Sequence, residues 1–591
     1  MQNQRNLILA VVLSAVLLLG WDVGLRYFYP QSAKPVVAAA NPAPGSPAAP
    51  DPASSAKPTR EGGLTAPADI ALEARDLQTA LSSGARVPIA APGLSGSINL
   101  TGAVLDDLTI NRHTASLDKK DGPARIFSPA GTPAQYFAAL GWVGQNGVAT
   151  PNAQTVWIAP AGAKLTTATP VTLIWANPTG QTFSITYKID ADYMITADAV
   201  VTNRGTGSVG LQPVAQLNRT DKTASLDTWN IQSGPFGAFD DTVNFKVNYS
   251  DVSETGQVNN TGKTNWLGFT DIYWMSTLIP GGETASSDFR ALGKGIYLAD
   301  LFYKPVTVAP GQTVTTTTRI FAGAKEGEVL DRYDAAGIPK FSLAIDWGWF
   351  RWFEKPIFWL LKALFAAVGN FGVAIILLTV VVRGVMFPIA QKQFASMASM
   401  RAVQPKMKAL QARYKDDKEK LQAETLKLYK DEGVNPLAGC LPIFLQIPVF
   451  FALYKVLTLT VEMRHQPFVL WIKDLSAPDP AHILNLFGML PFTPPSFLAI
   501  GILAVLLGVT MWAQFKLNPA SPDPVQQQVF SIMPWMMMFV MAPFAAGLLI
   551  YWITSNLLTI AQQKFLYARH PQLKVMVDKE RADVAAATKH K

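Results

Sequence analysis

The sequence predicts a multi-domain membrane protein: one N-terminal anchor helix, an external all-β sandwich domain, and an all-α transmembrane core of five further spans. Three observations carry this prediction. Charged residues are only 16% of the 591, against about 25% in soluble domains. The apolar runs gather after Lys355, whereas residues 30–345 read as polar. Lys and Arg concentrate between the apolar runs, at Gln391–Lys430 and Lys564–Lys591, the pattern of cytoplasmic loops beside a membrane. The net charge of +8 therefore does not form the folded basic face of a nucleic-acid-binding domain. Ribosomal RNA stays open as a partner.

Residues 1–30 form the anchor. Arg5 precedes an apolar run from Leu7 to Gly20, 14 residues that suit a signal-peptide core as well as a span. Ala38-Ala39-Ala40 offers a cleavage site. The apolar character resumes through Trp21, Val23, Leu25, Tyr27 and Phe28, with Trp and Tyr suited to the outer interface, which favours an uncleaved anchor. Either way, the following segment is exported. Residues 31–60 are rich in Ala, Pro and Ser and read as an extended linker.

Residues 61–340 form the external domain. Short runs rich in Val, Ile, Thr, Tyr and Phe, such as Phe183–Ile189, Tyr193–Thr202 and Thr313–Phe321, alternate with Gly, Pro, Asn and Asp breaks. Even spacing of short strands predicts a β-sandwich. An enzyme is not expected here. His113 has no second histidine in the domain, and Gly93-Leu94-Ser95-Gly96 reads as a tight turn rather than a serine nucleophile. Gly262-Lys263-Thr264 lacks the earlier glycine of a phosphate loop, because position 257 is Gln257. A single cysteine, Cys440, excludes an intrachain disulfide and reads as a small core residue.

Residues 341–366 are aromatic and amphipathic, with Trp347, Trp349, Phe350, Trp352 and Phe353 beside Arg351, Glu354 and Lys355, and predict an interfacial helix. The core, 367–570, is expected to hold spans near 368–390, 437–460, 496–516, 529–544 and 546–567. Charge sets the topology. The loop 391–432 carries ten Lys and Arg, including Lys392, Arg401, Lys406 and Lys430, whereas 461–495 carries only Arg464 and Lys473. With both termini cytoplasmic, every loop satisfies the positive-inside rule. Apolar residues at helical spacing, Phe394, Met397, Met407 and Leu410, then Leu421 and Leu428, predict a charged cytoplasmic hairpin over 391–434, broken at Asp416-Asp417. It is either a docking element or a solvated connector. A basic tail, 571–591, ends the chain.

Within the spans, polar residues are the candidate functional groups. Arg383 lies in an apolar run, where burial in lipid costs about 2.5–3.5 kcal/mol. It either faces a watery cavity or snorkels about 10 Å to the inner headgroups. Thr379 stands four residues earlier on the same helix face. Trp552, Asn556, Thr559 and Gln563 form a polar stripe, and Gln446 places another amide in mid-span. These side chains either line a hydrophilic groove or bond helix to helix. Met533, Met536, Met537 and Met541, with Phe450, offer adaptable apolar contact, for a substrate or simply for packing and lipid.

Several stretches resemble the YidC/Oxa/Alb family of membrane protein insertases: Thr379-Val380-Val381-Val382-Arg383-Gly384, Met400-Arg401-Ala402-Val403-Gln404-Pro405-Lys406, Asn435-Pro436-Leu437-Ala438-Gly439-Cys440-Leu441-Pro442, Gln446-Ile447-Pro448, Phe468-Val469-Leu470-Trp471-Ile472 and Gly547–Asn556. The match covers roughly residues 345–570 in order. The anchor and large external domain are similar, in architecture, to the bacterial type with a periplasmic domain. The resemblance implies insertion of nascent proteins into the inner membrane, alone or beside the Sec translocon. It implies a five-span core with a hydrophilic groove open to cytoplasm and lipid, with Arg383 in it and Thr379 and Trp552 facing substrate. It also implies a β-supersandwich external domain without enzymatic activity. One departure is Trp552, which stands where many relatives have tyrosine.

From that resemblance follows an expected mechanism. Arg383 attracts an acidic segment of the substrate into the groove, and the substrate's apolar helix leaves along the spans at 437–460 and 529–544 into lipid. No nucleotide motif is present, and no cofactor or metal is expected. The hairpin and basic tail meet the ribosome or targeting factors. A solute transporter would need paired sites across repeats, and an intramembrane protease would need catalytic carboxylates, a zinc motif or a serine dyad in the spans; neither pattern is present. Carbohydrate binding by the external domain remains as a further alternative.

Overall fold

The computed structural model describes residues 76–225, 232–348, 351–391, 417–432, 441–487, 499–517 and 524–569, with Leu490 and scattered positions between 403 and 414. The expected anchor, linker and basic tail, and the stretches around Met400 and Asn435–Cys440, lie outside the described residues.

Alternation builds the β domain. In the strands Gln181–Ile189 and Met194–Asn203, every second side chain is buried, so each strand presents one apolar face. The two pair antiparallel around a turn in which Asp190 Oδ1 accepts from the backbone N–H of Asp192 and Met194, at 2.9 and 3.1 Å. Among the described residues, eighteen strands arranged in this manner make two sheets. The ten-stranded sheet runs, in spatial order, Arg86–Ala90, Leu94–Asn99, Val104–Thr114, Tyr136–Gly144, Val209–Thr220, Ile296–Tyr303, Thr284–Gly293 and Gln257–Asn259. Pro123–Phe127 and Val306–Val308 pair off this path. The eight-stranded sheet runs Thr242–Asn244, Gly234–Phe239, Thr264–Thr270, Trp274–Pro280, Thr313–Ala324, Met194–Asn203, Gln181–Ile189 and Val171–Ala176.

The sheets pack face to face, as the strand spacing predicts. Trp142 of the first meets Phe183 of the second with ring centroids 5.0 Å apart. Close approach fixes Gly323, where a Cβ would stand 2.3 Å from Cγ of Tyr193. An ion pair lies in this interior: Arg219 reaches Asp271 and lies 4.8 Å over the Tyr136 ring. Burial alone pushes the Asp271 carboxyl up, but Arg219 and bonds from Ser225 N and Ser233 Oγ hold it below the usual carboxylate range. At Gly93–Gly96 the turn falls earlier than the sequence suggested: Ser95 already lies in a strand, opposite Ala90. Gly262-Lys263 is a turn anchored on Asp240, whose Oδ1 accepts from Lys263 N at 2.8 Å.

Helices α1 (Leu77–Ser82) and α2 (Tyr249–Thr255) decorate the sandwich, and α3 (Gly327–Ala335) follows its last long strand. Next comes α4 (Arg351–Val368), tied back to α3 by Lys355–Asp331 at 3.1 Å and Lys362–Glu328 at 2.5 Å. It has the two faces expected of an interfacial helix. Glu354, Ile357, Phe358 and Leu361 are buried, while Trp352 and Trp359 stand 74% and 71% exposed.

The helical core comprises α5 (Phe371–Val385), α6 (Lys418–Asp431), α7 (Leu441–Leu459), α8 (Ile502–Leu517), α9 (Pro524–Met541) and α10 (Ala546–Arg569). Side chains set the helix starts: Asn370 Oδ1 accepts from Val373 N at 3.1 Å, and Asp417 Oδ1 from Lys420 N at 3.0 Å. The hairpin arms meet through the Lys406–Glu432 ion pair and Thr425 Oγ1 on Met407 Sδ. The five expected spans each coincide with a helix. Among the described residues, no helix is long and apolar enough to cross a membrane. Helix α5 is 15 residues, about 22 Å at 1.5 Å per residue, and after a single turn residue, Met386, the chain is helical again over 387–391. Polar positions lie within two of the helices, Gln446 and Lys455 in α7 and the Trp552–Gln563 stripe in α10.

The segment after α7 touches the β domain. Arg464 Nη1 and Nη2 donate to the carbonyls of Thr114 and Ala115 at 2.7 and 2.9 Å. Its guanidinium lies 5.7 and 5.3 Å from the Tyr273 and Trp274 rings.

Candidate functional site

The polar residues of the core face one another across α5, α7, α8 and α10. Arg383, on the last turns of α5, donates from Nε at 3.1 Å and from Nη2 at 2.5 Å to Ser555 Oγ of α10. Its side chain is half-buried. A neutral hydroxyl takes two of its hydrogen bonds without neutralising its charge, so the cation remains able to attract an anion.

Around that pair, α10 turns its stripe inward. Asn556 is buried and donates from Nδ2 to Thr510 Oγ1 of α8 at 3.2 Å. Thr559 Oγ1 donates to its own helix, at Ser555 O, 2.7 Å away. Gln563 is buried further along the same helix. Gln446 of α7 donates from Nε2 to the Tyr551 hydroxyl, so a phenol takes part in this network one position before Trp552. Trp552 is half-buried, its ring 5.3 Å from Phe450. Thr379 is placed differently from Arg383. It is buried, and its Oγ1 donates to Ile375 O at 2.7 Å, one turn back along α5.

The methionines of α9 divide between faces. Met541 is buried, Met533 and Met537 are half-buried, and Met536 is exposed. The exposed face continues through Ile532, Trp535, Phe539 and Val540. These positions fall at helical spacing and form one apolar stripe, the signal that reading the methionines alone passes over. Ser555 and Tyr551 are the other members that the sequence reading missed. Ser555 lies three residues after Trp552 and four before Thr559, so the periodicity of the stripe includes it.

Residues 363–573 match the family described as 60Kd inner membrane protein, and residues 86–360 match the YidC periplasmic domain. The class of protein is therefore an inner-membrane protein that carries a periplasmic β domain on a helical core. Membrane protein insertase YidC of Zymomonas mobilis is 44% identical over 573 residues, covering 96% of each chain. The protein of the same description from Rhizobium etli is 42% identical over 595 residues, again covering 96% of each. The chain belongs to the YidC family of membrane protein insertases, a non-enzymatic family that acts on nascent membrane proteins. A crystal structure titled as an active YidC insertase aligns with 81% of this chain and 92% of its own, at 19% identity and a TM-score of 0.36. That likeness is too slight to bear on the fold.

Proposed function

We propose that this insertase receives its substrates in a hydrophilic groove centred on Arg383 and bordered by Gln446, Trp552, Asn556, Thr559 and Gln563, with Thr379 behind it. The observation that carries the reading is the Arg383–Ser555 pair: a guanidinium in the helical core whose described partner is uncharged. An acidic segment of a nascent chain entering from the cytoplasm displaces Ser555 and pairs with Arg383. The substrate's apolar helix then passes along the exposed stripe of α9 and Phe450 of α7 into lipid, and burial there drives the step. No cofactor enters this scheme.

Five helices, α5 and α7 to α10, cross the membrane in this reading, with an N-terminal anchor before the β domain and both termini cytoplasmic. Contact of Arg464 with the periplasmic β domain supports placing the segment after α7 on the periplasmic side. The hairpin 391–434 then falls on the cytoplasmic side, in keeping with its charge. The hairpin and basic tail are the docking elements for the ribosome and targeting factors, and the Sec translocon is a partner for larger substrates.

A photo-crosslinker at Trp552, challenged with a stalled ribosome bearing a nascent membrane segment, tests the groove. Adducts are expected only when the apolar segment has emerged. Absence of adducts at Trp552, Thr379 and Met537 would reduce the polar stripe to helix packing. Arg383→Glu is expected to slow substrates with acidic tails; normal rates would sink the attraction step.

A further inference from the structure

The segment between α7 and α8 makes two sets of contacts that the insertase reading does not use. On one side it closes over the helix starts. Phe468 seats on Gly372, where a Cβ would stand 2.0 Å from the ring, and its carbonyl accepts from Asn370 Nδ2 at 3.1 Å, at the start of α5. Leu475 and Ala477 offer their carbonyls to Gly547 N at 2.9 Å and Ala546 N at 2.8 Å, the free donors that open α10. Asp479 Oδ2 accepts from Leu503 N at 2.8 Å, at the start of α8, while its Oδ1 accepts from Trp471 Nε1 at 2.9 Å. One segment thus caps three helices at one end of the core. Internal bonds fold it compactly: Leu475 N donates to Gln466 O at 2.9 Å and Phe468 N to Ile472 O at 3.0 Å. Ile472 and Leu475 are buried beneath it.

On its other side the same segment is gripped by the β domain. Arg464 spans the Thr114 and Ala115 carbonyls with both terminal nitrogens and lies against Tyr273 and Trp274. His465 Nδ1 lies 3.5 Å from Thr114 Oγ1. An arginine held by two carbonyls and two rings has its orientation fixed in all directions, which a lysine does not reproduce.

We propose that residues 461–479 form a plug over the periplasmic end of the helical core, and that the β domain holds it in place through Arg464, a positioning residue. The β domain is then a brace for the core as well as a neighbour of it. This rests on the core being membrane-embedded but not on the groove itself, which lies toward the other end of α5 and α10.

Hydrogen exchange on the full chain in nanodiscs tests the brace. Arg464→Ala is expected to speed exchange at least ten-fold at the amides of Ala546, Gly547, Leu503, Phe468 and Leu475. Amides in the strands Gln181–Ile189 and Met194–Asn203 are expected to keep their protection. Arg464→Lys should fall between the two. Unchanged exchange at Ala546 and Gly547 would overturn the proposal, because the plug would then stand without its pin. Acceleration spread through those strands would overturn it too, by making Arg464 a stabiliser of the β domain alone. If Arg464→Ala does not accumulate, Trp274→Leu loosens the pin from the domain side and must give the same local pattern. Crosslinking at Trp552 is a separate readout, so failure here leaves the groove reading standing.

Discussion

Ser555→Ala is expected to strengthen the grip of the core on acidic substrates. In the resting structure Ser555 Oγ accepts two guanidinium hydrogen bonds from Arg383. A hydrogen bond to a charged group contributes about 1.5–3 kcal/mol. Two bonds sharing one oxygen do not add in full, so about 2–3 kcal/mol is a fair allowance for the pair. A substrate carboxylate that takes Arg383 must first displace Ser555, and the alanine variant removes that competitor from the empty protein while leaving the bound state almost untouched. At about 1.4 kcal/mol per decade, affinity rises by roughly 30- to 150-fold. The assay is equilibrium binding of a labelled single-span peptide to the protein in nanodiscs, once with an acidic tail and once with the matching amide tail. Only the acidic peptide should tighten, and Arg383→Ala should abolish the difference. Equal tightening of both peptides, or none, would refute the exchange of Ser555 for substrate.

Three further outcomes concern stability. Burial pushes the Glu354 carboxyl from 4.5 up to about 7, against the favourable pull of Lys455. Its ionisation therefore opposes folding, so the thermal midpoint of the full chain should fall as pH rises from about 4.5 to about 7 and level off above, while Glu354→Gln shows a smaller fall. Asp271→Asn leaves Arg219 charged in the sandwich interior, an uncompensated charge costing about 3–5 kcal/mol; limited proteolysis should find the β domain labile, and full resistance would contradict the buried pair. Gly323→Ala drives a methyl into Tyr193 and should cost about 1–3 kcal/mol of β-domain stability, read as a lower denaturation midpoint.

Much of this structure is legible from pattern alone. Alternation in Gln181–Ile189 and Met194–Asn203 announces strands, because half of each strand is buried and half is not. The distribution of Lys and Arg announces the hairpin's location relative to the apolar runs. Arg383 stands out because a cation in an apolar run is costly anywhere. Its partner does not, since a serine in a helix is ordinary, and only the helix pairing of α5 with α10 makes Ser555 significant. Thr379 illustrates the converse. Spacing of four residues from Arg383 puts it on a related face, yet its hydroxyl satisfies itself on Ile375 O, a choice of rotamer that no periodicity encodes. The segment after α7 was opaque because it has neither period. Its order comes from backbone carbonyls meeting helix starts, and any sequence of suitable length offers carbonyls.

The way Gln446 pairs with Tyr551, Arg383 with Ser555 and Asn556 with Thr510 has a bioenergetic consequence. A cell that stores work as a proton gradient across this membrane loses it through any standing column of water. Because these polar groups find partners in one another, the idle protein needs less water in the membrane to hydrate them. If clients enter the proposed groove, acceptance amounts to trading internal bonds for external ones, and the gradient is at risk only for as long as that trade takes.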